Sequence, residues 1–490
     1  MSQSTRGPDS PAGTATEIRS TNLPAIEYAD LPEPLPLKRV LGPSVLLLAG
    51  AIGSGEYVLW PYITSQVGMA LVWLVFVGIL TQYFLNMEIE RYTLATGETA
   101  VSGFTRLWKP WSWLFILMTV VPWAWPGWAT GGTTTLSFAL GFSEDAVPYV
   151  TIGVLILIGA VLTVSPVVYQ TVEKIQFFLV GLIVLFLIYA AIALLGGDGY
   201  SALAKGFVEV DKIPDAIDTI PIATLLGAIA FAGAGGALNL VQSNWVRDKG
   251  LGMGARLPKV VSPFTGEETA APTTGYFFRR DEENMRRWNG WWRVADKEQF
   301  ATFFVIGAIA LFVLMTLTFV TVGTGGVSAE AADFTFIEEE GNALKGEHGD
   351  WLGTLFWLIG TVVLFSTNLA VLDMVGRVTA DVLKTGALRD NENWSESRLY
   401  FAVVWMEIAF GSIILLSGVD QPLLLLVIAS SLNGLVMFVY SVLLIQLNKG
   451  MLPKEIGLGG GRLAALVWAV VFYGGFSAVL LWDQIGSLFE

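Results

Sequence analysis

The stretch LGPSVLLLAGAIGSGEYVLWPYITSQ, from Leu41 to Gln66, is the part of the sequence that decides the fold. It is apolar and long enough to cross a bilayer, which takes about 20 helical residues. Its centre carries small residues that weaken a helix, namely Gly50, Gly53, Ser54 and Gly55. Glu56 follows at once, although an unpaired carboxylate in mid-membrane is costly. Together these features predict a binding site, because freed backbone groups and a carboxylate can face a substrate.

The composition places the chain in a membrane. Charged residues make up 14% of its 490 residues and the mean hydropathy is +0.61, whereas soluble domains carry about 25% charged residues. Cysteine is absent and His348 is the only histidine, which excludes thiolate metal sites and nucleophilic triads. We therefore expect neither an enzyme nor a cofactor. The net charge of −14 does not suggest nucleic acid as a partner, so the predicted partners are the lipid bilayer and a small solute or ion.

Eleven apolar segments are predicted to span the membrane as helices. They lie near residues 41–66, 70–93, 111–140, 147–168, 175–196, 220–245, 299–323, 351–376, 399–418, 422–446 and 463–484. Lysine and arginine are concentrated in the loops after the even-numbered spans, and acidic residues in the loops after the third, seventh and ninth. The positive-inside rule then predicts a multi-pass cell-membrane protein with a cytoplasmic N-terminus and an extracellular C-terminus.

This arrangement of spans divides the chain into four parts. Residues 1–40 are rich in Pro, Ser, Thr and Ala and are predicted to form a disordered cytoplasmic tail. Residues 41–245 hold the first repeat and the sixth span, and residues 299–484 hold the remaining spans. Between them, residues 246–298 form a cytoplasmic insert. Its mixture of arginine and tryptophan favours a helix lying on the inner face of the membrane.

The sixth span is interrupted like the first. It reads FAGAGGALN from Phe231 to Asn239. The two interrupted spans occupy equivalent positions in two groups of five, which predicts a 5+5 inverted repeat with a binding site between the breaks. The alternative is that the small residues only let helices pack closely.

At this point the residues resemble those of the Nramp (natural-resistance-associated macrophage protein) metal-ion transporters. The resemblance rests on Gly42–Pro43 ahead of a helix break, on YQTVEKIQ at 169–176 and on GGTTTLSFALG at 131–141. It covers most of residues 40–450 and implies an all-α LeuT-type fold of the amino acid–polyamine–organocation superfamily. The sequence is therefore expected to be a divergent relative of that family.

The diagnostic motifs of the family are altered here. Its metal-binding Asp-Pro-Gly-Asn falls on GSGE at residues 53–56, and its Met-Pro-His falls on GGA at residues 235–237. The soft thioether that favours transition metals is thus missing. The acids of the third span that carry protons in the family fall on Trp125 and Trp128, so the usual proton route is expected to be closed.

The resemblance and the residues together predict a secondary transporter that works by alternating access. Glycines on both breaks are expected to leave a wide cavity, which suits a hard divalent cation such as hydrated Mg²⁺ or Mn²⁺. Glu56 is the expected metal ligand, with backbone carbonyls near Gly50 and Ala232. The other substrate-binding candidates are Gly53, Ser54, Gly235, Gly236, Asn239, Asn368 and Asn433.

Several alternatives stay open. GAIGSGEYVLWP also resembles the GSG segment of amino-acid transporters, so an organic cation or amino acid is the second substrate class, and a non-transporting sensor or scaffold is the third hypothesis. Asp373 and Glu407 are candidate coupling residues. For Asp373 we favour an ion pair with Arg377, one helical turn away. For Asn433 we favour a bridge between helices over a contact with substrate.

Overall fold

The computed structural model describes residues 13–209, 211, 213–261, 274–325 and 334–486, and these are mainly helical. Within these ranges twenty α-helices follow one another. They are α1 (Leu37–Val40), α2 (Pro43–Ala51), α3 (Trp60–Val67), α4 (Val72–Thr96), α5 (Ala100–Leu107), α6 (Trp111–Trp123), α7 (Gly127–Leu140), α8 (Val147–Val164), α9 (Val168–Ala193), α10 (Gly196–Gly206), α11 (Ile213–Thr219), α12 (Ile222–Ala230), α13 (Gly236–Lys249), α14 (Glu282–Gln299), α15 (Gly307–Thr321), α16 (Thr335–His348), α17 (Asp350–Thr385), α18 (Glu396–Leu416), α19 (Pro422–Gly450) and α20 (Gly460–Gly486).

The remaining regular structure is short. Two π-helical segments, Ile52–Leu59 and Phe300–Ile306, join α2 to α3 and α14 to α15. Strands β1 (Glu27–Tyr28) and β2 (Tyr276–Phe277) pair in parallel, with Glu27 opposite Tyr276. This small sheet ties the N-terminal segment to the end of the insert.

Nine helices in the described ranges are long and apolar enough to cross a membrane. They coincide with nine of the predicted spans. The other two, the third and the sixth, are each split into two shorter helices, α6 with α7 and α12 with α13. The third span divides at Ala124–Pro126, close to Pro122 and Pro126, because proline removes a helical hydrogen bond.

The predicted break is wrong for the first span, which runs as one continuous helix from Pro43 to Val67. Its centre keeps helical dihedral angles but forms the π-helical segment Ile52–Leu59, which widens the turn around Gly53–Glu56. The sixth span has a true break at Phe231–Gly235, where Gly233 has φ of 119° and Gly235 has φ of 76°. Such angles favour glycine, so the glycines of this stretch predict the break from the sequence.

The predicted disordered tail is wrong for residues 13–40, and its first part, residues 1–12, lies outside the described residues. Ile18, Ile26 and Leu31 are buried in the core. The Leu31 amide donates to Asn284 Oδ1 at 2.9 Å, and the Trp291 indole donates to the Pro32 carbonyl at 2.8 Å. The segment is polar in composition, but its few apolar side chains are enough to anchor it.

The insert also differs from the prediction of a helix lying on the membrane. The helix α14 continues through Phe300–Ile306 into α15. It is therefore an extension of the seventh span and not a separate helix on the membrane surface. Its Trp288 and Trp291 are buried in the protein, and Arg91 lies 4.0 Å over the ring of Trp292. The tryptophans of this helix are therefore used to hold the N-terminal segment and α4. Residues 262–273 of the insert lie outside the described residues.

Candidate functional site

Glu56 lies inside the protein in the middle of the first span. Its side chain has no exposed surface, and neither carboxylate oxygen has a hydrogen-bond partner among the described residues. The π-helical segment that carries it packs against α17, α15 and α12. An isolated carboxylate in such a place is costly unless it is neutralised or paired with a cation. Glu56 is therefore the strongest candidate for a substrate ligand.

The sequence predicts a wide cavity around the glycines beside Glu56, but the structure has no such cavity next to them among the described residues. A Cβ added at Gly53 would overlap the Thr367 hydroxyl, and one added at Gly55 would overlap the Phe231 carbonyl oxygen. At Gly50 it would meet Leu238. The space next to each glycine is already filled by the eighth or sixth span. The packing interpretation, which the sequence left open, describes these glycines in this structure.

Close packing nevertheless places polar groups next to the π-helical segment of the first span. The Gly53 amide donates to Thr367 Oγ1 at 3.1 Å, and the Thr367 hydroxyl donates to the Ala49 carbonyl at 2.9 Å. Ser54 stays within its own helix, with its Oγ 3.3 Å from the carbonyl of Gly50. Thr367 thus inserts its hydroxyl into the hydrogen-bond ladder of the first span.

The break in the sixth span is held by Gln82 of α4. Its side-chain amide donates to the carbonyls of Ala230 and Ala232 at 2.8 and 3.0 Å. Its oxygen accepts from the Gly235 amide at 3.1 Å and from Asn239 Nδ2 at 3.2 Å. One side chain therefore satisfies three backbone groups at the break, and buried backbone groups need such partners in a membrane. The carbonyl of Ala232, a predicted metal ligand, already has this partner.

Two of the three amide candidates of the predicted site, Asn239 and Asn368, are buried and only partly hydrogen-bonded. Asn239 Nδ2 donates to Asn86 Oδ1 at 2.6 Å, while its own Oδ1 has no partner among the described residues. Asn368 follows Thr367 on α17 and is buried, and its Nδ2 is also unpartnered in that part of the chain. Both side chains have unused hydrogen-bonding capacity.

Asn433 bridges helices, as we favoured from the sequence. The Trp123 indole donates to Asn433 Oδ1 at 2.8 Å, and Asn433 Nδ2 donates to the Ala429 carbonyl at 2.9 Å. A Cβ at Gly236, whose φ is 51°, would overlap this side chain. Asn433 thus joins the third, sixth and tenth spans at one point.

Aromatic rings form the next layer around the break in the sixth span. Trp123 and Trp128 stack with ring centroids 5.0 Å apart, and the ring of Phe231 lies 5.4 Å from Trp123 and 6.2 Å from Trp128. Trp128 thus stands in the layer next to the break, at a place where the resemblance puts a proton-carrying acid. Both indoles are fully buried.

Asp373 does not take part in this site. The predicted ion pair with Arg377 is confirmed, with Arg377 Nε 2.7 Å from Asp373 Oδ2. The carboxylate also accepts from the Trp245 indole at 2.8 Å and from the Tyr400 hydroxyl at 2.7 Å. Arg377 pairs in addition with Asp248. These contacts use the carboxylate fully for structure, so Asp373 is a poor ligand for a passing ion.

Glu407 also lies apart from Glu56. It lines a cavity of about 300 Å³ between α6, α17 and α18, whose other walls are apolar. Its Oε2 is buried and has no partner among the described residues. Two residues on the same cavity wall, Met406 and Phe410, are 60% and 40% exposed. The cavity therefore opens at the surface of the protein, and its described walls come from the third, eighth and ninth spans.

Metal-binding side chains are sparse. In the described ranges, no group of three or more His, Asp and Glu side chains is placed to hold a metal ion. An ion at Glu56 would take its other ligands from hydroxyl, amide and backbone oxygens or from water. That donor set fits a hard cation and disfavours a soft one.

Solved transporter structures share the fold over nearly the whole chain. The manganese transporter of Eremococcus coleocola, in complex with an aromatic bis-isothiourea substituted compound, is 12% identical, with 97% of this chain and 92% of that chain covered and a TM-score of 0.66. MhsT in complex with L-phenylalanine is 12% identical, with 90% and 97% covered and a TM-score of 0.51. Mhp1, a nucleobase-cation-symport-1 family transporter, is 13% identical, with 94% of both chains covered and a TM-score of 0.51.

These likenesses define the class of protein as a multi-pass α-helical membrane protein with the LeuT-type fold, and they confirm the predicted fold. At such low identity they speak for the fold alone. No protein-family model matches the chain, and no curated protein matches it either. The resemblance to the Nramp transporters seen in the sequence therefore extends to the fold of one solved manganese transporter.

Two residues at the centre of the site were missed in the sequence. Gln82 carries a signal in hindsight, because it starts a polar row with Asn86 and Glu90 at intervals of four residues on a membrane helix. Phe231 carries none, since a phenylalanine in an apolar span is unremarkable. Its carbonyl and its ring become important only because Gly55 lets the two spans approach.

Proposed function

We propose that this chain is a secondary transporter that moves a divalent cation, Mg²⁺ or Mn²⁺, across the membrane by alternating access. The observation that carries the proposal is Glu56, a fully buried carboxylate without a partner among the described residues, next to the contact between the first and sixth spans. A buried carboxylate is retained in a membrane protein when the binding of a cation compensates for the free energy that its burial costs.

The neighbouring groups support a hard cation. Thr367 Oγ1 contacts the amide of Gly53, three residues before Glu56 in the chain, and Asn239, just after the break in the sixth span, has an oxygen without a partner among the described residues. One charged ligand with neutral oxygens suits an ion that keeps part of its water shell. The usual proton route of the resembling family is not available, because tryptophans occupy its positions. We propose transport without that route.

An organic cation is the second candidate, and the aromatic layer favours it. Trp123, Trp128 and Phe231 present ring faces beside the break in the sixth span. Aromatic faces attract ammonium and guanidinium groups, and one carboxylate balances one such charge. An amino acid's own carboxylate would be repelled by Glu56, so an amine or guanidine is the form of this alternative.

Uptake into proteoliposomes tests the proposal directly. We expect Mn²⁺ and Mg²⁺ to enter vesicles that contain the protein, and Glu56→Gln to reduce the rate by about tenfold or more, because it keeps the size of the side chain and removes its charge. Glu144→Gln, which removes an exposed carboxylate from the loop after the third span, is the matched control.

Three results would contradict the metal assignment. Equal uptake by the wild type and Glu56→Gln would remove Glu56 from the site. Uptake of amines without uptake of divalent ions would favour the organic-cation candidate. Binding of a ligand without any flux would favour a sensor or scaffold.

We also propose the orientation that the loop charges predict. Lysine and arginine after the even-numbered spans place the N-terminus and the insert in the cytoplasm, and the C-terminus outside the cell. The cation site then lies between a cytoplasmic face, where α1 and α14 meet the N-terminal segment, and an external face that includes α16.

A further inference from the structure

Five buried polar side chains form a continuous row between the first, second, sixth and seventh spans. None of them is more than 1% exposed, and in order they are Glu298, Ser44, Gln299, Gln242 and Glu90. The Ser44 hydroxyl contacts both Glu298 Oε2 and Gln299 Oε1. Gln242 Nε2 lies 2.9 Å from Gln299 Oε1 and 3.3 Å from Glu90 Oε2. The row therefore has a carboxyl group at each end and four polar contacts between its members.

The number of available hydrogens is one short of the number of contacts. Each contact needs one hydrogen between its two heavy atoms. Gln242 supplies two from its amide and Ser44 supplies one from its hydroxyl, while Gln299 only accepts. If Ser44 donates to Gln299, its contact with Glu298 has no hydrogen. That contact is then satisfied only when Glu298 carries a proton.

Rotating the side-chain amides of Gln299 and Gln242 by about 180° moves the contact that lacks a hydrogen to the Glu90 end of the row. If Gln299 and Gln242 both exchange their oxygen and nitrogen positions, Gln299 donates to Ser44 and to Gln242. Ser44 then donates to Glu298, and the contact between Gln242 and Glu90 has no hydrogen. Now Glu90 has to be protonated. Turning only one of the amides places two oxygens or two nitrogens against each other, so the pair turns together.

We propose that this row binds one proton, shared between Glu90 and Glu298 through Ser44 and the two glutamines, and that this proton is the coupling ion of the transporter. The second half of this statement rests on the proposed function, and the first half does not. The step is a simple protonation, in which one carboxylate takes up one H⁺ and no other bond changes. It uses none of the positions that carry protons in the resembling family.

The charges that face Glu90 favour a bound proton there, whereas Lys249, which faces Glu298, favours the ionised form of that group. Glu90 is faced by Glu298 and Asp296, and Asp296 is held by Tyr83 at 2.7 Å and Arg462 at 2.5 Å. Glu298 is faced by Lys249, which is bound to Glu173 at 2.5 Å, and by Tyr169. In the described part of the chain neither carboxyl group forms a salt bridge, so no cation of the protein replaces the proton.

The row is connected to the span that carries Glu56. Glu298 Oε1 accepts from the backbone amides of Gly42 and Ser44, each at 3.2 Å, at the start of α2. An ionised carboxylate holds a helix N-terminus more strongly than a protonated one. Occupancy of the row by a proton therefore changes how firmly the start of the first span is held, which links protonation to movement of that span.

Infrared difference spectra of the purified full-length protein in nanodiscs test the shared proton. The wild type should show one carbonyl stretch of a protonated carboxyl group that belongs to the row. Glu90→Gln and Glu298→Gln should each remove that same band, because each substitution adds the donor that the row lacks. Ser44→Ala should remove it as well, since two contacts and two hydrogens remain. Ser44→Ala removes a single hydroxyl group, so it still tests the shared proton if a glutamine variant does not fold.

Glu340→Gln is the control for band assignment, because Glu340 is a buried carboxyl group far along the chain from the row. It should remove a different band. Two separate bands, each lost in only one of the row variants, would overturn the shared proton. A wild type without any band that depends on Glu90 or Glu298 would overturn it too.

Uptake of Mn²⁺ by proteoliposomes tests the coupling. An inward proton gradient should accelerate uptake by the wild type, and the ratio of the rates with and without the gradient should fall to unity in Glu90→Gln and Glu298→Gln. A ratio that keeps its wild-type value in both variants would overturn the coupling role. A wild type without uptake would contradict the proposed function, while the infrared result would still decide whether the row holds its proton.

Discussion

At the scale of single residues, Gly55 shows how little space separates the first and sixth spans. Its Cα faces the Phe231 carbonyl oxygen so closely that no side chain fits between them. The contact brings the break in the sixth span next to Glu56. Glycine is required here by the approach of two helices, since Gly55 itself has helical dihedral angles.

We predict that Gly55→Ala destabilises the protein, although alanine is the better helix former. Inserting a methyl group into a closely packed contact costs about 1–3 kcal/mol. Thermal unfolding in detergent measures the effect. Gly181→Ala is the matched control, because a Cβ at Gly181 meets nothing within 4 Å. If both variants unfold at the same temperature, the Phe231 carbonyl gives way more easily than the structure indicates.

Glu340 is a buried carboxyl group outside the membrane-spanning segments, on α16. Burial raises its pKa to about 8, and the Thr318 hydroxyl, which donates to Glu340 Oε2 at 2.8 Å, lowers it only in part. The folded protein therefore binds a proton at this position that the unfolded chain releases at much lower pH. The stability that comes from this proton is complete below the ordinary pKa of a glutamic acid and is lost as pH rises through about 8.

We predict that Glu340→Gln makes thermal stability less dependent on pH between about 4.5 and 8. Each unit of difference in pKa corresponds to about 1.4 kcal/mol, and glutamine has no proton to lose. Unfolding temperatures across this pH range test the prediction. A wild type that becomes more stable toward pH 8, or a variant with the same slope as the wild type, would contradict it.

At the scale of elements, the broken sixth span depends on its neighbour α4. Four groups around the break share one side chain, Gln82, which replaces the helical hydrogen bonds that the break removes. In the first span the same need is met within the helix, because a π-helical turn keeps most backbone groups paired. The first and sixth spans therefore satisfy their backbone groups by different means.

We predict that Gln82→Leu lowers stability strongly. Each buried backbone group that loses its partner costs about 1–3 kcal/mol, and three backbone groups depend on Gln82. Gln82→Glu keeps the acceptor and, when protonated, one donor, so it should fall between the wild type and the leucine variant in unfolding temperature. A leucine variant as stable as the wild type would show that other groups or water satisfy the break.

At the scale of the whole molecule, the proposed orientation can be tested because the chain has no cysteine. Lys109 and Glu144 are exposed and lie before and after the third span. We predict that a membrane-impermeant maleimide added to intact cells labels Glu144→Cys and leaves Lys109→Cys unlabelled until the membrane is opened. Both variants labelled from outside, or the reverse pattern, would contradict a cytoplasmic N-terminus.

The membrane spans could be read from the sequence because a bilayer imposes simple requirements, whereas the LeuT-type fold was implied by the resemblance to the Nramp transporters. Nine spans follow from length and apolarity, and the split third and sixth spans follow from proline and from a run of small residues. The Asp373–Arg377 pair followed from helical spacing alone. Each of these features depends on residues close together in the chain, whose relation is set by the helix itself.

Tertiary structure decided what those features do. Gly53 and Gly55 looked like the walls of a wide cavity, and only the arrangement of Thr367 and Phe231 shows that they are contacts. The polar residues before α1 looked like a disordered tail, and only α14 shows what their buried side chains pack against. A sequence states which positions avoid lipid or break a helix. It does not state which distant helix meets them, because that depends on packing across the entire bundle.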